Sequence, residues 1–208
     1  QDFWRRWHIT LSRFLKDYVY IPIGGSRKGE TRTYTNLFAT FLLGGIWHGA
    51  GWTFVFWGAL LGIALVLHRV WHELGFKMNS VLAWFITFNF INIGWVFFRA
   101  KEFEDAVKVL KGMSGMTGIN LPNALSSKLS FLSQYGVEFG NFIVETGGDK
   151  YTFIWLMAGV VLVLAFKNSM ELAYMFKTSN KTVWFSGIIF VAGVLSMNKV
   201  SEFLYFNF

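Results

Sequence analysis

From Leu37 to Leu67 the chain runs for 31 residues without one Asp, Glu, Lys or Arg. About 20 apolar residues are enough for a helix to cross the hydrocarbon core of a bilayer, so this run is too long for one straight span and must bend or re-enter. Gly44, Gly45, Gly49 and Gly51 cluster near its middle, where glycine lets a helix kink or a neighbouring backbone come close. A break is therefore expected over 44–51, with His48 inside it.

The rest of the chain agrees with a lipid environment. It is 54% hydrophobic, 20% aromatic and only 15% charged, against about 25% charged residues in ordinary soluble domains. Further apolar runs at 81–98, 151–166 and 182–197 are expected to span, the last two needing flanking residues or local bilayer thinning because they are slightly short. Trp4, Trp7, Leu11, Phe14, Leu15 and Tyr18 recur at helical spacing within 3–20, while Arg5, Arg6, Arg13 and Lys16 fall largely elsewhere around the same helix. This predicts an amphipathic helix at the headgroup layer. Pro22 and the stretch Gly24 to Gly29 then read as a basic turn. Phe103, Ala106, Val107 and Leu110 predict a short surface helix, and the remainder of 99–150 reads as a polar loop. The expected fold class is thus all-α and polytopic transmembrane, with amphipathic interface helices.

If 37–67 crosses once, most Lys and Arg lie on one side, and 1–35 and 99–150 are expected in the cytoplasm. A re-entrant fold at His48 would invert the later loops. The net charge of +7 comes without a readable nucleic-acid motif, so no nucleic acid is expected, and an anionic lipid surface accounts for the basic clusters. There is no cysteine, hence no disulfide and no thiolate nucleophile. The sequence opens with Gln1 inside an aromatic and basic stretch rather than with a start methionine, so upstream sequence is expected.

Candidates for chemistry are few. His68 and His72 share a helical spacing, but position 76 is Phe, so the HExxH zinc pattern fails and no metal is expected. Gly24 to Gly29 lacks the Gly-Lys-Ser/Thr ending of a phosphate-binding loop. Asn180-Lys181-Thr182 fits a glycosylation acceptor, a pattern too common to use. His48 stands apart as the lone side chain with near-neutral titration in the charge-free run. An imidazole at that depth costs free energy unless it is paired or faces a wet cavity. It either carries chemistry, as a general base does in its neutral form, or ties two helices by a hydrogen bond. As an intramembrane proton relay it would also suit a transporter component. Trp47 and Trp52 bracket it. His8 falls on the apolar stripe of the first helix, where a structural role is the simpler reading.

Five segments, in order, resemble the membrane-bound O-acyltransferases, in the branch of the alginate and peptidoglycan O-acetylases. They are Phe3-Trp4-Arg5-Arg6-Trp7-His8-Ile9-Thr10-Leu11-Ser12, Asp17-Tyr18-Val19-Tyr20-Ile21-Pro22-Ile23-Gly24-Gly25, Gly44-Gly45-Ile46-Trp47-His48-Gly49-Ala50, Gly94-Trp95-Val96-Phe97-Phe98-Arg99-Ala100, and Phe203-Leu204-Tyr205-Phe206-Asn207-Phe208. Ser26, Leu61 and Asn207 depart from the usual Asn, His and Gln of that branch. The resemblance implies that 1–208 is the C-terminal part of one membrane domain whose N-terminal helices lie upstream. It implies a multi-pass enzyme of the bacterial inner membrane that passes an acetyl group toward hydroxyls of a cell-envelope polysaccharide. His48 is then catalytic and His8 a second site residue. Around such a site Arg5, Arg6, Arg27 and Lys28 either draw an anionic donor, acetyl-CoA or another acyl thioester, or are ordinary positive-inside charge, with Trp47 as a candidate substrate contact. No bound cofactor is implied; a periplasmic or extracellular acetyltransferase partner is. D-alanyl transfer to teichoic acid is the alternative within the class.

Overall fold

A computed structural model describes residues 2–141, 147–149 and 151–197. Among the described residues the regular elements are helices and one short strand pair, and the chain divides into two compact units, Gln1–Gly118 and Ile119–Phe208. The closing aromatic segment 203–208 lies outside the described residues.

In the first unit, the stretch read as one amphipathic helix is broken. α1 (Asp2–Arg6) and α2 (Ile9–Leu15) are separated at His8, which has φ 45° and ψ 50° and is the one non-glycine residue with positive φ among those described. A π-helical turn, Lys16–Tyr20, follows. The apolar spacing of Trp4, Leu11 and Phe14 does not reveal this break, because short helices on either side preserve the period. His8 therefore lies exposed at a corner and not on a continuous apolar stripe.

The charge-free run forms two helices, α3 (Glu30–His48) and α4 (Trp52–Glu73). The chain reverses at 49–51, and the two helices lie antiparallel. At one end Arg69 bonds Glu30 at 3.1 Å and Glu73 at 2.7 Å, and Tyr34 donates to Glu73. At the other, backbones approach through glycine. A Cβ on Gly45 would lie 2.4 Å from the Phe54 carbonyl oxygen, and one on Gly58 would lie 2.6 Å from that of Phe41. Only glycine permits this approach, the arrangement by which helices associate tightly in lipid. The reversal replaces the single crossing on which the cytoplasmic placement of 99–150 depended.

α5 (Ser80–Arg99) packs beside α4, its first turn capped by Asn79, whose side-chain oxygen accepts from the backbone N–H of Val81 at 2.9 Å. Thr53 Oγ1 donates to the Ala100 carbonyl at 3.3 Å, tying the start of α4 to the end of α5. α6 (Phe103–Met113) follows as the expected surface helix. Trp57, Leu61, Ile91, Phe97 and Ala106 form the core where α4, α5 and α6 meet. Trp4 packs on Phe41 and Trp7 on Trp95, so α1 and the residue after it rest on α3 and α5.

α3 buries its polar and small residues, Thr33, Asn36, Thr40, Gly44, Gly45 and His48, and exposes Leu43, Ile46 and Trp47. That inversion of a soluble helix is what a lipid solvent favours, since only the polar groups need protein partners. α4 and α5 are long and apolar enough to cross a membrane.

In the second unit, β1 (Ile119–Pro122) pairs in parallel with β2 (Val137–Gly140). Between them lie 3-10 turns and the one-turn helix α7 (Ser126–Leu129). The polar-loop expectation missed this pair, because four residues are too few for a strand period to register. α8 (Thr152–Ala165) and α9 (Ser169–Met175) meet at a 55° bend and together are apolar and long enough for one span. α10 (Asn180–Ser196) is a shorter apolar helix.

Candidate active site

His48 ends α3 immediately before the reversal. Only 8% of its surface is exposed, and Nδ1 is shut off from solvent. Three rings enclose it edge-on: Trp47 at 4.9 Å, Trp57 of α4 at 5.3 Å and Phe98 of α5 at 5.1 Å. Trp57 and Phe98 also contact each other at 5.0 Å, so two helices hold the imidazole from separate directions. The turn itself depends on Gly49, where a Cβ would fall 2.7 Å from the Phe54 ring. A substituted residue there would push Phe54 off Phe98, which it meets at 5.1 Å.

His8, 40 positions earlier in sequence, is brought within electrostatic reach of His48. The docking of Trp4 and Trp7 on α3 and α5 carries it there. The left-handed backbone at His8 is sparsely populated by residues with a side chain. Such strain, where present, concentrates at functional positions.

The basic residues separate into two groups. Arg5 and Arg6 lie on α1 and are exposed, Arg6 paired with Asp2 at 2.8 Å. Arg27 and Lys28 lie on the turn preceding α3, also exposed. Asn36 fixes that turn by donating to the Gly25 carbonyl at 2.8 Å. Asn36 stands 12 residues before His48, about 18 Å along the helix axis, so Arg27 and Lys28 are not gathered at the imidazole. Trp47 touches His48 yet is 62% exposed. Leu61 is buried in the apolar core.

Trp57, Phe98 and Phe54 are parts of the site that sequence reasoning did not single out. The Gly94 to Ala100 segment was the available signal, since its regular placement on α5 carries Phe98 to the imidazole. His68 and His72 are exposed on α4, and among the described residues no three His, Cys, Asp or Glu side chains are placed to hold a metal ion.

The helical fold, with two helices long and apolar enough to cross a membrane, agrees with the comparison to known sequences. The profile of MBOAT, the membrane-bound O-acyltransferase family, matches residues 1–116. The chain belongs to that family. It is 46% identical over 219 aligned positions to a peptidoglycan O-acetyltransferase of Helicobacter pylori, covering 100% of this chain and 40% of that protein. To a protein of Azotobacter vinelandii named "Probable alginate O-acetylase AlgI" it is 31% identical over 224 positions, covering 100% of this chain and 45% of the relative. A teichoic acid D-alanyltransferase of Bacillus subtilis is 25% identical over 119 positions, covering 50% of this chain and 30% of that protein. The chain thus spans less than half the length of these relatives. No solved structure matches it significantly.

Proposed function

We propose that this chain forms part of a membrane-bound O-acetyltransferase that acts on hydroxyls of a cell-envelope polysaccharide of the peptidoglycan or alginate type, with His48 as the general base. The observation that carries this reading is the enclosure of His48 by Trp47, Trp57 and Phe98 at the glycine turn that ends α3, with Nδ1 shut off from solvent. With Nδ1 shut away, Nε2 of His48 is the nitrogen assigned to the reacting proton. It takes the proton of the acceptor hydroxyl as the oxygen attacks the thioester carbonyl. The carbon–sulfur bond then breaks, the ester forms, and the thiolate leaves with the proton returned from the imidazolium. His8 orients or polarises the reacting groups beside it. The enclosing rings exclude water, which would otherwise hydrolyse the thioester.

The donor in this reading is acetyl-CoA or another acyl thioester, approaching from the cytoplasmic side of the bacterial inner membrane. Arg27 and Lys28 act at entry, a helix length from bond making, and Arg5 and Arg6 draw the same anionic donor from α1. Trp47 offers its exposed face to substrate. A periplasmic or extracellular partner receives or delivers the acyl group. Residues 1–208 act as the C-terminal part of the membrane domain. The teichoic acid relative supports a second reading, D-alanyl transfer from a carrier protein, and the ester-linked group released from the envelope by mild base separates the two.

The test is His48→Ala in the full-length protein, with ester-linked acetate on the envelope polymer measured at matched protein level. A loss of about 10²–10⁴ in transfer rate is expected for removal of a general base. Unchanged acetate would remove His48 from the mechanism.

A further inference from the structure

α6 begins shortly after the apolar span α5 ends at Arg99, so chain connectivity holds it at the edge of the bilayer. Its inner side is occupied: Ala106 is 0% exposed and Leu110 packs against the core. Its other side carries an open groove of about 380 Å³, lined by Phe103, Glu104, Val107, Lys108, Lys111 and Thr117. The groove is nearly all apolar, yet two exposed lysines one helical turn apart, at i and i+3, line it. Glu104 offsets part of that charge and leaves the lining net positive.

The floor of the groove continues into the span. Phe103 meets Phe56 of α4 at 5.4 Å, and Phe56 meets Phe97 of α5 at 4.6 Å. Phe56 is itself 39% exposed on an apolar membrane helix. A ligand that begins at the lysines and follows Phe103 therefore passes directly onto the exposed apolar side of α4, a helix long and apolar enough to cross a membrane. A soluble peptide would have to leave its aqueous surroundings to do so, whereas a phospholipid has this distribution of charge and apolar length.

We propose that Phe103, Val107, Lys108 and Lys111 form a binding site for an anionic phospholipid, the lysines holding the headgroup phosphate and the groove one acyl chain. The site anchors α6 at the interface. Because α6 buries Ala106 against the helices that enclose His48, occupancy stiffens the end of the molecule that carries the reactive histidine.

The experiment uses the full-length protein in detergent, supplied in turn with phosphatidylglycerol, phosphatidylcholine and inorganic phosphate, with bound lipid counted by native mass spectrometry. Preferential retention of phosphatidylglycerol is expected. K108Q/K111Q should weaken it roughly 10- to 30-fold, given the contribution of each basic residue near an anionic headgroup. K108R/K111R, which keeps the charge, should retain it. All these positions are exposed on α6, so the helix itself persists. Equal retention of the two lipids, unchanged phosphatidylglycerol binding in K108Q/K111Q, full displacement by inorganic phosphate, or occupancy of the groove by a partner protein alone would each overturn the assignment.

Discussion

Residues 1–118 and 119–197 both contain strongly apolar helices, yet they use them differently. α3, α4 and α5 each bury a face, and on α3 that face is built from threonine, asparagine, glycine and histidine. α8 and α10 are as apolar, but neither has a buried residue among those described. The contrast separates two properties that composition confounds. Hydrophobic length makes a helix compatible with lipid; small and polar residues on one face make it specific for a protein neighbour. The family profile ends at residue 116, close to where the first property ceases to be accompanied by the second.

The largest expected effect on this contrast comes from Gly58. A Gly58→Leu substitution places atoms where the Phe41 backbone already stands, and should destabilise the full-length protein by about 3 kcal/mol. Thermal unfolding in detergent would show it as a clear fall in midpoint. Removing the buried amide in Asn36→Ala leaves the Gly25 carbonyl without its 2.8 Å donor, at an expected cost of about 1–2 kcal/mol. Limited trypsin digestion should then cut more readily after Arg27 or Lys28, while sites on α6 keep their rate. The smallest effect has the opposite sign. At Gly187 a Cβ meets nothing within 4 Å, so Gly187→Ala should gain about 0.5–1 kcal/mol from helix propensity. Destabilisation there comparable to that at Gly58 would show that α10 presses against a helix partner, and the contrast would fail.

Much of the helical architecture was legible because charge and turn residues bound it. The uncharged run, the glycine cluster and the apolar stretches at 81–98, 151–166 and 182–197 correspond to α3 and α4, α5, α8 and α10. The direction of the chain after His48 was not legible, since a kink and a reversal require the same glycines. What distinguishes them is the pairing of Glu30 and Tyr34 with Arg69 and Glu73, charged and phenolic groups at opposite ends of the run. The enclosure of His48 was half legible. Its isolation marked it, but Trp57 and Phe98 look like ordinary span residues until α4 and α5 are placed side by side. The nearness of His8 could not be read from periodicity, which assigned it to an unbroken helix. Family resemblance pointed to His8, and the left-handed corner explains how the chain presents it.

The polar face of α3 has a consequence for how the protein enters the membrane. Ribosomes deliver α3 before α4, and α3 alone would confront lipid with Thr33, Asn36, Thr40 and His48. α4 carries Trp57, which packs on His48, and Gly58, which meets the α3 backbone at Gly45. Stable insertion of the earlier helix therefore waits for synthesis of the later one, and the two are expected to partition from the translocation machinery together, as one folded pair. Any lesion that slows or misorients α4 would expose α3 to membrane quality control before the histidine could serve any chemistry.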